Sequence, residues 1–126
     1  MRNILLVDDD TVCTFVSSKL LEKIGNVNVR IAANGEDALA LFKQYYAHSN
    51  LTPDIILLDL NMPVMDGFEF LEHFAAYNIP NKETIRIIVL TSSQNPDDVH
   101  RAKQLGVNRF LTKPLLEKDL REILTF

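Results

Sequence analysis

Ile55-Ile56-Leu57-Leu58-Asp59 is the stretch that decides the fold. Four apolar residues, led by two isoleucines, end at a carboxylate, and Pro53 stands just ahead of them. A short unbroken apolar run bounded by turn residues reads as a strand buried on both faces, as in a parallel sheet. Three other runs stop in the same way. Ile4-Leu5-Leu6-Val7 precedes Asp8-Asp9-Asp10, Ile87-Ile88-Val89-Leu90 precedes Thr91, and Phe110-Leu111-Thr112 precedes Lys113. Open α/β sheets bind ligands beyond the carboxyl ends of their strands. The acids, the hydroxyl and the ammonium are therefore expected at one sheet edge. That mix suits a divalent cation plus a phosphoryl group.

Between these runs the pattern turns helical. Val12, Phe15, Val16, Leu20, Leu21 and Ile24 recur at helical spacing behind Asp10, a good N-cap, and are expected to face the core. Gly25 stands where a left-handed C-cap residue belongs. Val27, Val29 and Ile31 alternate as a second strand. A second helix opens at Asn34-Gly35-Glu36, and a third starts near Asp66-Gly67 with Phe68, Leu71 and Phe74 inward. Asn95-Pro96-Asp97-Asp98 opens a fourth and Gly106 ends it. Leu115 to Leu124 gives the last helix. Five β/α units result, without linker or repeat, and a single domain over residues 1–126 is expected with helices on both sheet faces.

Composition narrows the function classes. The 126 residues hold 47% hydrophobic and 24% charged residues, an ordinary globular balance. The formal net charge is −4 and no basic cluster stands out, so direct nucleic-acid binding is not expected. Cys13 is the single cysteine, which excludes an intrachain disulfide and fits a reducing compartment. No stretch approaches the roughly 20 apolar residues of a membrane span. No signal-peptide pattern follows Met1, and a cytoplasmic location is expected.

The site residues carry distinct expectations. Asp8 and Asp9 beside Asp59 would repel one another without a cation, and Mg²⁺ favours such hard oxygen ligands. Asp10 reads as a helix cap rather than a ligand. Asp59 can attack phosphorus and form an acyl phosphate, with a metal offsetting charge on the transferring group. The Asn61 backbone carbonyl could complete the metal shell. Lys113 offers a positive charge to a phosphoryl oxygen, and the following Pro114 could aim it through a tight turn. Thr91 offers a hydroxyl donor, although threonine is also common at strand ends.

These residues resemble the receiver domain of two-component response regulators, of the stand-alone, chemotaxis-receiver-like kind. The resemblance spans essentially the whole chain. It rests on Leu5 to Asp10, on Leu57 to Gly67, on Val89-Leu90-Thr91-Ser92 and on Phe110 to Pro114. It implies a flavodoxin-like doubly wound parallel sheet of five strands in order 2-1-3-4-5, with five helices. It implies that Asp59 accepts a phosphoryl group from a sensor histidine kinase or histidine phosphotransfer protein. Asp9, Asp59 and the Asn61 carbonyl would bind Mg²⁺, with Asp8 acting mainly through water. Thr91 and Lys113 would bind phosphoryl oxygens, and Phe110 would turn inward as Thr91 moves. The readout surface would be the fourth helix, fifth strand and fifth helix, facing a downstream protein target or a second copy in a homodimer.

Two departures from the family stand out. Gln44 to Pro53 is longer than in compact members and is expected as a surface extension. Phe110 lacks the hydroxyl of the tyrosine in many relatives. Asn61 and Ser93 would flank the attacking water, and neither is a strong base, so self-dephosphorylation is expected to be weak. No effector domain follows the last helix, so the expectation is output through protein–protein contact, with a receiver excised from a longer regulator or hybrid kinase as the alternative.

Two other functions compete. Asp8-Asp9-Asp10-Thr11-Val12 also resembles the nucleophile motif of haloacid-dehalogenase-type phosphatases, with Asp8 phosphorylated and Asp10 as acid/base. Against it, only residues 114–126 follow Lys113, there is no room for a cap, and Asp59 would have no role. The other reading is a receiver-like interaction module that works without phosphorylation. The full set of Asp9, Asp59, Thr91 and Lys113 argues against that one.

Overall fold

The structure, a computed structural model, describes residues 2–47, 52–60, 62, 65–76, 82–91, 96–113 and 115–124. Strands and helices alternate: β1 (Arg2–Val7), α1 (Thr11–Ile24), β2 (Val27–Ala32), α2 (Gly35–Ala47), β3 (Ile55–Asp59), α3 (Gly67–Ala76), β4 (Arg86–Thr91), α4 (Pro96–Gln104), β5 (Arg109–Thr112) and α5 (Glu117–Ile123). The five strands form one parallel sheet in order β2-β1-β3-β4-β5.

Strand alternation explains why the apolar runs are unbroken. Leu5, Val7, Ile56, Leu58, Ile87 and Val89 face a core shared with α2, α3 and α4. Ile4, Leu6, Ile55, Leu57, Ile88 and Leu90 face the opposite core, where Leu21 of α1 and Leu120 and Ile123 of α5 pack. Both faces are covered, so no strand position of β1, β3 or β4 within these runs has a solvent side to make polar. Phe42, Phe70 and Phe74 pack ring on ring in the first core, with centroids 5.2 to 6.2 Å apart.

The helix ends test the sequence reading. Gly106 has φ +95°, the Gly106 N–H donates to the Lys103 carbonyl, and the Val107 N–H donates to the Ala102 carbonyl. This is the paired bonding of a glycine-terminated helix. Gly25 is different. Its backbone is extended, φ −153° and ψ 177°, although its N–H still donates to the Leu21 carbonyl. With β2 beginning two residues later, the chain straightens at once and has no need of a left-handed residue.

The apolar face of α1 also departs from expectation. Leu21 is buried and Leu20 and Ile24 are partly buried, but Val12, Phe15 and Val16 are exposed, Val12 at 71% and Phe15 at 62%. Thr14 and Ser17 take the inward positions instead. The inward side of the first two turns of α1 is therefore small and polar. Ile31 is half exposed because β2 is an edge strand. α5 starts at Glu117 rather than Leu115, since the backbone of Leu116 is still extended, φ −101° and ψ 145°, and this half-exposed residue takes the N-cap position without a side-chain cap.

Candidate functional site

β1, β3, β4 and β5 deliver their terminal residues to one edge. Asp8 follows β1, Asp59 ends β3, Thr91 ends β4, and Lys113 follows β5. Parallel register puts Val7 beside Leu58, Asp59 beside Leu90, and Thr91 beside Thr112. Asp59 and Thr91 are each the last residue of their strand rather than the first of a loop, and both are buried. The Lys113 N–H donates to the Thr91 carbonyl at 2.9 Å, fixing the turn after β5.

One carboxylate oxygen from each of Asp8, Asp9 and Asp59 falls within 4.8 Å of the others. Asp8 and Asp59 are buried and Asp9 is exposed. Lys113 Nζ lies 2.9 Å from Asp8 Oδ2 and donates to Asp59 Oδ2 at 3.1 Å. Three carboxylates against one ammonium leave a formal charge of −2. The Lys113–Asp8 approach is a charge contact without hydrogen-bond alignment, so the buried Asp8 Oδ2 has no aligned donor. Its other oxygen, Oδ1, accepts the Asp10 N–H at 3.0 Å.

The titrations follow from this crowding. Burial pushes Asp8 up, but the Asp10 N–H and the nearby Lys113 outweigh it and hold the carboxyl below its ordinary value. Burial pulls Lys113 down, and its two carboxylate partners more than reverse that. Burial raises the Cys13 thiol, and the neighbouring Asp8 raises it further. The thiol thus stays protonated, which argues against a nucleophilic role.

A divalent cation fits these residues. The donors are all hard oxygens, and three carboxylates around one ammonium leave an excess of negative charge that a cation would offset. Ligand oxygens on one Mg²⁺ sit no more than about 4.2 Å apart. A set within 4.8 Å therefore meets an ion directly after a small closure, or through water.

The other expected residues fall as follows. Phe110 is half-buried and packs against the core on the α2–α4 side. Asn61, Ser93 and Pro114 lie outside the described residues, as do residues 48–51 of the expected extension. Asp10 is exposed and caps α1, with its Oδ1 accepting from Val12 and Cys13 N–H groups. A carboxylate used in this way is poorly placed as the acid/base of a dehalogenase-type phosphatase.

Sequence reasoning placed Gly67 at the start of the third helix but did not read its close approach to β3. A Cβ there would lie 2.7 Å from the Asp59 carbonyl oxygen, and its N–H donates to the Leu60 carbonyl. Only glycine lets α3 start this close to β3. Beside the site, a cavity of about 370 Å³ is lined by Val12, Cys13, Val16, Lys113 and Leu115 among others.

A parallel five-stranded sheet with an acid pocket and a lysine at its carboxyl edge defines a receiver-type signalling domain. The chain belongs to the response regulator receiver domain family, whose profile matches residues 4–125. It is similar to Response regulator Rcp1 of Synechocystis, 37% identical over 93% of this chain and 80% of that protein. The solved Mn²⁺-bound form of Rcp1 superposes with a TM-score of 0.76 at 34% identity, covering 98% of this chain and 89% of that one. The Vibrio cholerae chemotaxis protein CheY4 superposes with a TM-score of 0.82 at 30% identity, covering 98% and 96%. The Regulator of RpoS of Escherichia coli is 32% identical over 97% of this chain, which spans only 32% of that protein's length. No helix among the described residues is long and apolar enough to cross a membrane.

Proposed function

We propose that Asp59 accepts a phosphoryl group from a phosphohistidine of a sensor histidine kinase or histidine phosphotransfer protein. The observation that carries this reading is the convergence of Asp8, Asp9, Asp59 and Lys113 at one sheet edge. In the step, an Asp59 carboxylate oxygen attacks phosphorus and the P–O bond forms. The donor's P–N bond breaks, and its electron pair leaves with the imidazole, which takes a proton from water. Mg²⁺, held by Asp8, Asp9 and Asp59 with the Asn61 carbonyl as a further ligand, would offset charge on the transferring group. The Mn²⁺-bound form of Rcp1 supports a cation of that kind.

Lys113 holds its ammonium against Asp59 and is available to a phosphoryl oxygen once the acyl phosphate forms. A phosphoryl group adds about −1.5 to −2 charges and strong acceptors, so it gains contacts only in that state. Thr91 and Lys113 supply them, and the equilibrium shifts by that difference. Phe110, behind Thr91 on the neighbouring strand, transmits the shift to the face of α4, β5 and α5. A downstream protein target, or a second copy of the chain, reads that face. The exposed Val12 and Val16 line a cavity with Lys113, Leu116 shares another with it, and Phe15 stands exposed on the same two turns of α1, an apolar surface that suits a macromolecular donor rather than a small one.

The protein acts as a signalling domain in the cytoplasm, with residues 1–126 as one receiver unit and only weak self-dephosphorylation. Borohydride reduces an acyl phosphate to an alcohol, so trapping and peptide mapping after phosphorylation should yield homoserine at position 59. Homoserine at position 8 instead would move the chemistry to the phosphatase reading.

A further inference from the structure

Asp10 is exposed and stands outside the group of converging carboxylates, yet it is bonded more extensively than a plain cap. Its Oδ1 accepts the Val12 N–H at 3.0 Å and the Cys13 N–H at 3.1 Å. Its carbonyl accepts the Thr14 N–H at 2.9 Å, the first turn of α1. Its own N–H donates to Asp8 Oδ1 at 3.0 Å. These four bonds fix the backbone of Asp10 at φ −82° and ψ 106° and so fix the direction of that N–H.

The consequence falls on Asp8, whose side chain is fully buried. One of its oxygens, Oδ1, is held by the Asp10 N–H at 3.0 Å, and the other, Oδ2, faces the Lys113 ammonium at 2.9 Å. The Asp10 amide is the backbone anchor of this carboxylate, and with Oδ1 held there Oδ2 is kept towards Lys113 and the other two carboxylates. We infer that Asp10 is a positioning residue for the cation site: its helix cap holds the amide that orients Asp8 Oδ2. This rests on the reading of Asp8, Asp9 and Asp59 as ligands.

The mechanism separates capping from charge. Without the cap, the first turn of α1 loses its acceptor for two N–H groups and frays. The Asp10 amide then drifts, and Asp8 Oδ1 loses its donor. Outer-shell partners that orient a metal ligand act in this way. A purely electrostatic role would instead depend on the negative charge of Asp10, whatever the cap does.

The test compares Asp10→Ala with Asp10→Asn, which carry the same charge but differ in capping. Mn²⁺ is the probe, followed by loss of the free-ion EPR signal at about 0.15 M salt, where exposed charges are screened. Glu22→Gly is the stability control. It removes one exposed negative charge from the far half of α1 and loosens the helix without touching Asp10. Asp10→Ala should weaken Mn²⁺ binding about tenfold, the lower end for loss of an outer-shell partner. Asp10→Asn should stay within about twofold of wild type, because asparagine caps as well as aspartate. Glu22→Gly should lower the thermal midpoint and leave Mn²⁺ binding unchanged.

Equal weakening in Asp10→Ala and Asp10→Asn would overturn the inference in favour of charge. Unchanged binding in Asp10→Ala would overturn it outright, and so would equal weakening in Glu22→Gly. If wild type itself binds no Mn²⁺, the cation-site reading fails first and takes this inference with it.

Discussion

Lys113 Nζ lies 3.1 Å from Asp59 Oδ2, joining the ends of β5 and β3 across the intervening β4. The same ammonium lies 2.9 Å from Asp8 Oδ2. One cation thus offsets two buried carboxylates that face each other. Replacing it leaves both without that charge, and breaking a buried pair is more costly than never having made it. Because Lys113 keeps some solvent contact, Lys113→Ala should destabilise the metal-free protein by about 1–3 kcal/mol. Millimolar Mg²⁺ should restore much of the loss by binding only the folded chain. Urea midpoints with EDTA and with Mg²⁺ measure both effects.

The same cluster sets a pH window for the metal-free protein. Asp8 titrates below its ordinary 3.8 when folded, so its contribution is complete above 3.8 and is lost as pH falls further. Lys113 titrates above its ordinary 10.5, so its contribution is complete below 10.5 and is lost as pH rises further. Stability differences between wild type and Asp8→Asn should therefore change on the acid side. Those between wild type and Lys113→Met should change on the alkaline side. Denaturant midpoints across pH in EDTA would show this, and an identical alkaline limb in Lys113→Met would contradict it.

Gly67 and Gly35 should respond differently to a methyl group. A Cβ at Gly67 meets the Asp59 carbonyl oxygen at 2.7 Å and the Leu60 Cα at 2.8 Å, both backbone. At Gly35 the nearest atoms are the Met65 side chain, at 2.8 Å, and the Met65 carbonyl oxygen, at 3.0 Å. Methionine yields more readily than backbone. Gly67→Ala should cost about 2–4 kcal/mol and Gly35→Ala about 1–2, against a gain of under about 1 kcal/mol from helix propensity. Thermal midpoints decide the order.

The exposed rim of α1 predicts a contrast along one helix. Phe15→Ser should change stability by less than about 0.5 kcal/mol, because Phe15 packs on little beyond the Lys19 ammonium 5.6 Å above its ring. Leu21→Ala, fully buried six residues later, should cost about 2–5 kcal/mol. If the rim receives the phosphodonor protein, Phe15→Ser should slow transfer from that protein and leave transfer from acetyl phosphate unchanged.

How much of this was legible before the structure depends on where a residue's environment comes from. β1, β3 and β4 are written in their own apolar runs because both faces of each are buried. Their polar terminal residues then had to meet, since parallel strands share one carboxyl edge. The α1 face was not legible. Val12, Phe15 and Val16 keep helical apolar spacing, but which side of a helix turn meets the rest of the chain is a tertiary fact. Gly25 misled for a related reason, because a glycine after a helix marks an end without fixing its conformation. Asp10 was readable as a cap, while its amide's hold on Asp8 depends on how the β1–α1 turn folds back on itself. Gly67 left only a weak signal, a glycine opening a helix, where Asp66 supplied the visible cap.

The central claim is phosphorylation of Asp59, and intact-mass spectrometry after incubation with acetyl phosphate tests it most directly. Wild type, Asp59→Asn and Asp8→Asn are compared with and without Mg²⁺. The account predicts one added phosphoryl group on wild type that requires Mg²⁺ and is absent from Asp59→Asn. No adduct on wild type would contradict it in favour of a phosphorylation-independent module. Sustained phosphate release unaffected by Asp59→Asn and abolished by Asp8→Asn would contradict it in favour of a phosphatase.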